Sequence, residues 1–218
     1  MPEISDPIVF NSGEKIIISA KLNDKKFNFT DWSDPTLLNL RIAIRRHYRN
    51  VQKGICSYCK KDVSLQSASN SHVEHIVPKS KELKFIFTPK NLCVVCADCN
   101  EIKREMETLS QEENPIKRKK KYTLYPRKSG SFKIFHPHFD LYDQHIFKCG
   151  DIYFDLSPKG SFTIMACRLN RKIHKFGMEP MLLSESQLLD LMSAYATETN
   201  FTKRQIVFNR LREYFIKL

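Results

Sequence analysis

Four cysteines stand in two C-x2-C pairs, Cys56-Ser57-Tyr58-Cys59 and Cys96-Ala97-Asp98-Cys99. Two such pairs are the sequence form of a closed tetrahedral zinc site. Zinc there would pin both ends of the enclosed segment to one point. Inside or beside that segment lie His72, Glu74, His75, Asn91 and Asn100. The Glu74 carboxylate and the Asn100 amide carbonyl are hard oxygen donors, suited to Mg²⁺ or Mn²⁺ rather than to a second zinc. His75, next to Glu74, is a base that can take a proton from water near pH 7. His72 lies two residues before Glu74, so on a regular strand both project to one face. A base, a hard cation and a fixed frame are what phosphodiester hydrolysis requires. Cys93 breaks the paired spacing and reads as a small buried thiol.

The elements that must position these groups are partly readable. HVEHIV is a strand candidate that Pro78 helps to end, NLCVVC is a second extended stretch, and NEIKREMETL reads as a helix from Cys99 onward. Upstream, SDPTLLNLRIAIRRHYRNVQ reads as a helix with Asp34 as cap and Pro35 as its first residue. Its Arg41, Arg45 and Arg49 recur every four residues and form one stripe, which suits a phosphate backbone and equally a solvated face. Residues 1–33 read as short strands, IVF, KIIISAKL and KFNF, separated by the turn signals NSG and NDKK.

Downstream, residues 115–133 carry eight basic side chains and no acid, with Tyr122, Tyr125 and Phe132 interleaved. The run Lys117, Arg118, Lys119, Lys120, Lys121 can neutralise phosphates while aromatic faces stack on bases, and it can equally serve as a linker. HIFKC, DIYFDL and SFTIMACRL are strand-like, joined by Gly150 and SPKG, and two helices close the chain. His136, His138 and His145 have no cysteine or carboxylate set at ligand spacing and read as structural.

The chain thus divides into an N-terminal strand extension (1–34), a core with a leading basic helix (35–110), a basic linker (111–133) and a C-terminal α+β accessory subdomain (134–218). The charge of +12, from 36 basic and 24 acidic residues, favours a polyanionic partner. No apolar run is long enough for a membrane span and no signal peptide is evident, which predicts a cytoplasmic protein without a membrane partner. In that reducing setting seven cysteines argue for metal rather than disulfides.

The run Glu74-His75-Ile76-Val77-Pro78, then Asn91-Leu92, then Cys96-Ala97-Asp98-Cys99-Asn100-Glu101-Ile102-Lys103 resembles the HNH, or ββα-metal, endonucleases. The upstream CSYC matches their four-cysteine zinc branch. The resemblance covers about 50 residues. Glu74 stands where aspartate is commoner, and KSKELKFIFTPK replaces the usual Gly-Gly after the proline. The resemblance implies an α+β fold, a zinc-stapled ββα-metal core with an N-terminal β/helix extension and a C-terminal β-hairpin plus helical subdomain. It implies His75 as general base, Glu74 and Asn100 as ligands of one catalytic Mg²⁺ or Mn²⁺, and Asn91 as the residue orienting the His75 ring and tying down the loop. It places His72 at the active site and makes Cys56, Cys59, Cys96 and Cys99 structural zinc ligands.

The implied activity is metal-dependent hydrolysis of DNA, with Arg41, Arg45, Arg49, Lys103 and the 117–121 run as backbone grips. FHPHFDLYDQHI, GSFTI and RLNR are also similar to HNH nucleases of bacterial anti-phage systems, retron-associated and Septu-type. That likeness implies a defence or restriction setting, an ATPase or other defence-system partner, and room for a homodimer. Two alternatives stay open: a non-catalytic zinc-stabilised nucleic-acid-binding subunit, and a nuclease subunit silent until an ATPase engages it.

Overall fold

The computed structural model describes residues 3–110, 123–177 and 185–217. Its first element corrects the strand reading of the N-terminus. KIIISAKL lies in helix α1 (Ser12–Asn23), and KFNF leads into a 3-10 turn at Phe29–Ser33. The cause is local. Asn11 accepts from the Glu14 amide at 2.9 Å, and Glu14 accepts from the Asn11 amide at 2.8 Å, a reciprocal capping box. Isoleucine favours strands, but a strand needs a partner ladder. No residue of α1 is buried, so nothing packs there to override the cap.

Asp34 begins the next helical stretch as its sequence predicts. Its carboxylate accepts from the Thr36 amide at 2.8 Å, and Pro35 opens a 3-10 turn that runs into α2 (Leu38–Val51). Leu40, Ile44 and Tyr48 fall four apart and are buried, so α2 presents one apolar face. That face packs against β1 (His72–His75) and β2 (Leu92–Val95), which pair antiparallel with His72 opposite Val95 and His75 opposite Leu92. Gln52, just past α2, pairs with β2 as a peptide group would. Its amide oxygen accepts from Val94 N at 2.7 Å and its NH2 donates to Val94 O at 2.8 Å.

After β2 comes α3 (Ala97–Lys103), completing a ββα unit. The helix is shorter than the sequence predicts, because Arg104 adopts φ 42° and turns the chain away. A second two-stranded sheet joins β3 (Ile146–Cys149) and β4 (Ile152–Asp155), as predicted from HIFKC and DIYFDL.

SFTIMACRL is a further correction: much of it lies in helix α4 (Pro158–Ala166). Ser157 caps it, accepting from Gly160 N at 3.1 Å, and Pro158 takes the first helical position. SPKG is therefore a helix start, not a hairpin turn. A Cβ at Gly160 would lie 1.8 Å from the His145 carbonyl oxygen, so only glycine lets α4 approach that backbone. The remaining helices are α5 (Arg171–Phe176), α6 (Glu185–Thr197) and α7 (Phe201–Lys217).

The described residues within 1–147 and 154–169 form one compact unit, and those within 148–153 and 170–218 form another. In the first unit the histidine-rich stretch is structural. His138 Nε2 donates to Leu92 O of β2 at 2.8 Å, and His136 Nε2 meets the Tyr125 hydroxyl at 2.9 Å. Asp140 accepts from His136 N at 2.7 Å and from Lys159 Nζ at 2.8 Å. No helix among the described residues is long and apolar enough to cross a membrane.

Candidate metal centre and adjoining cleft

Cys56, Cys59, Cys96 and Cys99 are all buried, and their sulfurs lie within 4.8 Å of one another. Cys59 and Cys96 Sγ are 3.6 Å apart. Tetrahedral zinc with Zn–S bonds of about 2.3 Å needs S···S edges of about 3.8 Å, so the donor set fits zinc with side-chain shifts of about 1 Å or less. Their electrostatics fit as well. Hydrogen bonding from Cys56 pulls the Cys96 thiol far below its ordinary value, while burial pushes Cys56 up. Four thiols this close favour thiolate at some positions, and a soft dication stabilises that charge. Cys93 is not in the cluster, and burial pushes its thiol up to about 12, so it is inert.

β1 also borders a cleft of about 710 Å³ lined by His72, Glu74, His75 and Asn100, among others. The structure therefore gathers the predicted base, both predicted oxygen ligands and His72 around one space. His75 is 6% exposed, and its Nε2 lies 3.0 Å from the Ile86 carbonyl oxygen. A carbonyl only accepts, so Nε2 carries the hydrogen and Nδ1 keeps the lone pair. Burial pushes the His75 pKa down to about 3, with the charges of Lys79 and Lys103 adding to it, so the ring is a neutral base at any ordinary pH.

Glu74 is 5% exposed and forms a buried ion pair with Lys103, Oε1 to Nζ 2.5 Å. Burial still raises its pKa, outweighing the opposing pull of Lys103. A buried carboxylate that is only partly compensated has capacity for a further cation. Asn100, half-buried on α3, supplies a second oxygen to the same cleft. One or two protein oxygens with water completing the shell is what Mg²⁺ takes, so these residues fit such an ion.

Three predicted roles change. Asn91 does not hold the His75 ring; the Ile86 carbonyl does. Asn91 is fully buried and clamps the loop that carries Ile86, accepting from Val77 N at 2.7 Å and donating to Val77 O at 3.1 Å and Phe85 O at 3.0 Å. Its effect on the ring is one step removed. Lys103 is not a backbone grip, because it is 1% exposed with Nζ on Glu74 and on His75 O at 3.1 Å. It cross-links α3 to β1.

The arginine stripe is also divided. Arg49 binds the protein's own loop, with Nη2 3.1 Å from Ser67 O and Nε 3.2 Å from Ser71 Oγ. Arg45 Nε donates to Ser71 O at 2.8 Å, and Arg41 donates to the Trp32 and Asp34 carbonyls, yet both also line the cleft. Lys117, Arg118, Lys119, Lys120 and Lys121 lie outside the described residues.

Sequence reasoning missed Trp32, Lys79 and Arg104, which line the cleft as well. Trp32 meets the His75 ring edge-to-face with centroids 4.6 Å apart. Lys79 and Arg104 lie within the ββα segment, after Pro78 and after α3, whereas no motif spacing links Trp32 to it. The lone tryptophan beside a capped helix start was the only available hint.

Comparison with known proteins places this geometry. The family model described as HNH endonuclease matches residues 56–105, from the first zinc-site cysteine to just past Lys103. No curated protein and no solved structure matches the chain. The segment that matches the HNH endonuclease model carries the four-cysteine cluster, within an α+β chain.

Proposed function

We propose that this protein is a metal-dependent endonuclease that hydrolyses DNA phosphodiester bonds at the Glu74/His75/Asn100 cleft. The single observation carrying the reading is the state of His75. It is neutral, with Nε2–H tied to a backbone carbonyl and the lone pair on Nδ1, in the cleft that Glu74 and Asn100 also line. His138 is also buried with Nε2 on a backbone carbonyl, but only His75 of the two lines the cleft that Glu74 and Asn100 share.

The chemistry divides among the chain's own groups. Glu74 and Asn100 would hold Mg²⁺ or Mn²⁺, which when bound supplies positive charge at the scissile phosphate and its leaving oxygen. His75 Nδ1 takes the proton of the attacking water as its oxygen bonds to phosphorus. The P–O3′ bond breaks, leaving a 5′-phosphate, and the 3′ oxygen takes a proton from solvent. Lys103 fixes one oxygen of Glu74 and the His75 carbonyl, so ligand and base keep a constant relation. Arg41, Arg45 and Lys79 bring positive charge to the cleft for neighbouring phosphates. Cys56, Cys59, Cys96 and Cys99 would hold a structural zinc away from this chemistry.

The likeness of the C-terminal stretch to anti-phage nucleases extends the proposal to a cytoplasmic defence or restriction role. There an ATPase or other subunit would switch the nuclease on, and two copies would be needed to cut both strands at once. Incubating supercoiled plasmid with the zinc-loaded protein and Mg²⁺ or Mn²⁺ tests the core of the proposal. Nicked or linear product with 5′-phosphate ends supports it. Intact plasmid with either metal, with and without a co-encoded ATPase, contradicts it.

A further inference from the structure

The aromatic ring that meets His75 lies well before residue 56. Trp32 sits in the 3-10 turn Phe29–Ser33, lines the cleft and stands nearly perpendicular to the imidazole, at 82°. Phe87 backs the indole at 5.9 Å and is itself stacked on Phe27 at 6.0 Å. The turn is fixed from three sides. Asn28 and Asp31 form a capping box. Arg41, from α2, donates to the carbonyls of Trp32 and of Asp34, the latter at 2.9 Å. Lys21, from α1, pairs with Asp34 at 2.8 Å.

A histidine ring has a broad, nearly two-fold torsional preference about its last bond. A half-turn would put carbon atoms where the nitrogens stand and remove the basic nitrogen from its place. One neutral hydrogen bond to Ile86 biases the choice but does not block the rotation. A perpendicular indole at 4.6 Å, held by a guanidinium that grips its own backbone, does obstruct it. We infer that Trp32, locked in place by Arg41, is a positioning residue that holds the His75 imidazole in its working orientation. The N-terminal segment then completes the active site of a core whose family match begins at residue 56. The activity readout rests on the hydrolytic reading above; the ring orientation does not.

The test uses the full-length, zinc-loaded protein with Trp32→Phe, Trp32→Ala and Arg41→Gln. Nitrogen-15 NMR of the His75 ring reads tautomer and orientation directly. Wild type and Trp32→Phe should each give one Nε2-protonated species. Trp32→Ala should give a mixed or exchange-broadened ring, and Arg41→Gln the same to a smaller degree. With plasmid substrate, Trp32→Ala should lower kcat about 100-fold, as a misplaced reacting group does. DNA affinity, zinc content and melting temperature should stay near wild type, and Trp32→Phe should restore most of kcat. An unaltered His75 signal in Trp32→Ala overturns the inference, and so does a loss confined to KM. If wild type cleaves no DNA, the hydrolytic reading falls and the ring measurement still decides the role of Trp32.

Discussion

The four-cysteine cluster and the cleft of the ββα unit are built on different principles. The cluster is local: two short C-x2-C turns supply every donor, and the four sulfurs lie within 4.8 Å. The cleft is convergent. Its base and carboxylate come from β1, its amide from α3, its buried lysine from the end of α3, its arginines from α2 and its indole from a turn before α2. The four-cysteine cluster would hold its shape through metal bonds, whereas the cleft holds through hydrogen bonds and packing that many segments must make together. Damage to the first should unfold the unit, and damage to the second should spare the fold while disarming the chemistry.

The largest expected effect tests the first half of that contrast. Cys56→Ser, or stripping with a strong chelator, should remove one equivalent of zinc per chain and melt the 56–105 unit. Structural zinc contributes roughly 10–16 kcal/mol in finger peptides. Elemental analysis with thermal melting checks it, and unchanged zinc and stability would remove the four-cysteine site from the account.

Lys103 cross-links α3 to β1 beside the cleft, so its loss should show intermediate behaviour. Lys103→Met leaves Glu74 buried without its cation, which costs roughly 3–5 kcal/mol for a broken buried pair. Denaturant melts should show that loss with zinc still bound. If Lys103→Met weakens only DNA binding, the lysine is a phosphate grip after all.

Acid should weaken the frame that presents the cleft. Burial holds His75 near 3 and His138 near 4, and pushes His136 well below its ordinary value. The folded state therefore stays neutral at these rings while the unfolded chain binds protons below about pH 6.5. Stability is complete above that pH and falls as pH drops toward the folded values, by up to about 1.4 kcal/mol per pH unit for each ring. Glu74, with its pKa raised, works in the opposite sense, but it is one group against three. Melting temperatures at pH 7.5 and 5.5, with zinc content checked at both, should differ clearly. Equal values would mean that these rings are not buried and neutral.

The smallest effect concerns the arginine stripe. Arg49 binds the loop at residues 65–71, so Arg49→Ala should cost about 1 kcal/mol of stability and hardly change DNA affinity. Arg45→Ala should weaken binding more, because Arg45 lines the cleft. Equal losses of affinity in the two variants would return the whole stripe to the DNA.

The same contrast explains what sequence could reveal. Metal-ligand spacing is local, so the four cysteines, the Glu74-His75 step and Asn100 were readable. Lys103 was misread because its charge is visible in sequence and its burial beside Glu74 is not. Asn91 was assigned one contact too directly, since a loop clamp and a ring clamp leave the same trace. In α1 the capping box Asn11–Glu14 was passed over because Asn11 was read as part of the turn signal NSG, and Ser157-Pro158 marked a helix start that was taken for a turn. Trp32 was beyond reach, because only tertiary packing brings it to His75.

The central claim is that a neutral, oriented His75 performs metal-dependent hydrolysis within a zinc-held frame. Plasmid cleavage and DNA affinity should be measured side by side for wild type and His75→Ala, both zinc-loaded and in Mg²⁺. The account predicts cleavage reduced by about 10²–10⁴-fold with zinc content and DNA affinity retained. Cleavage by His75→Ala at the wild-type rate would contradict it.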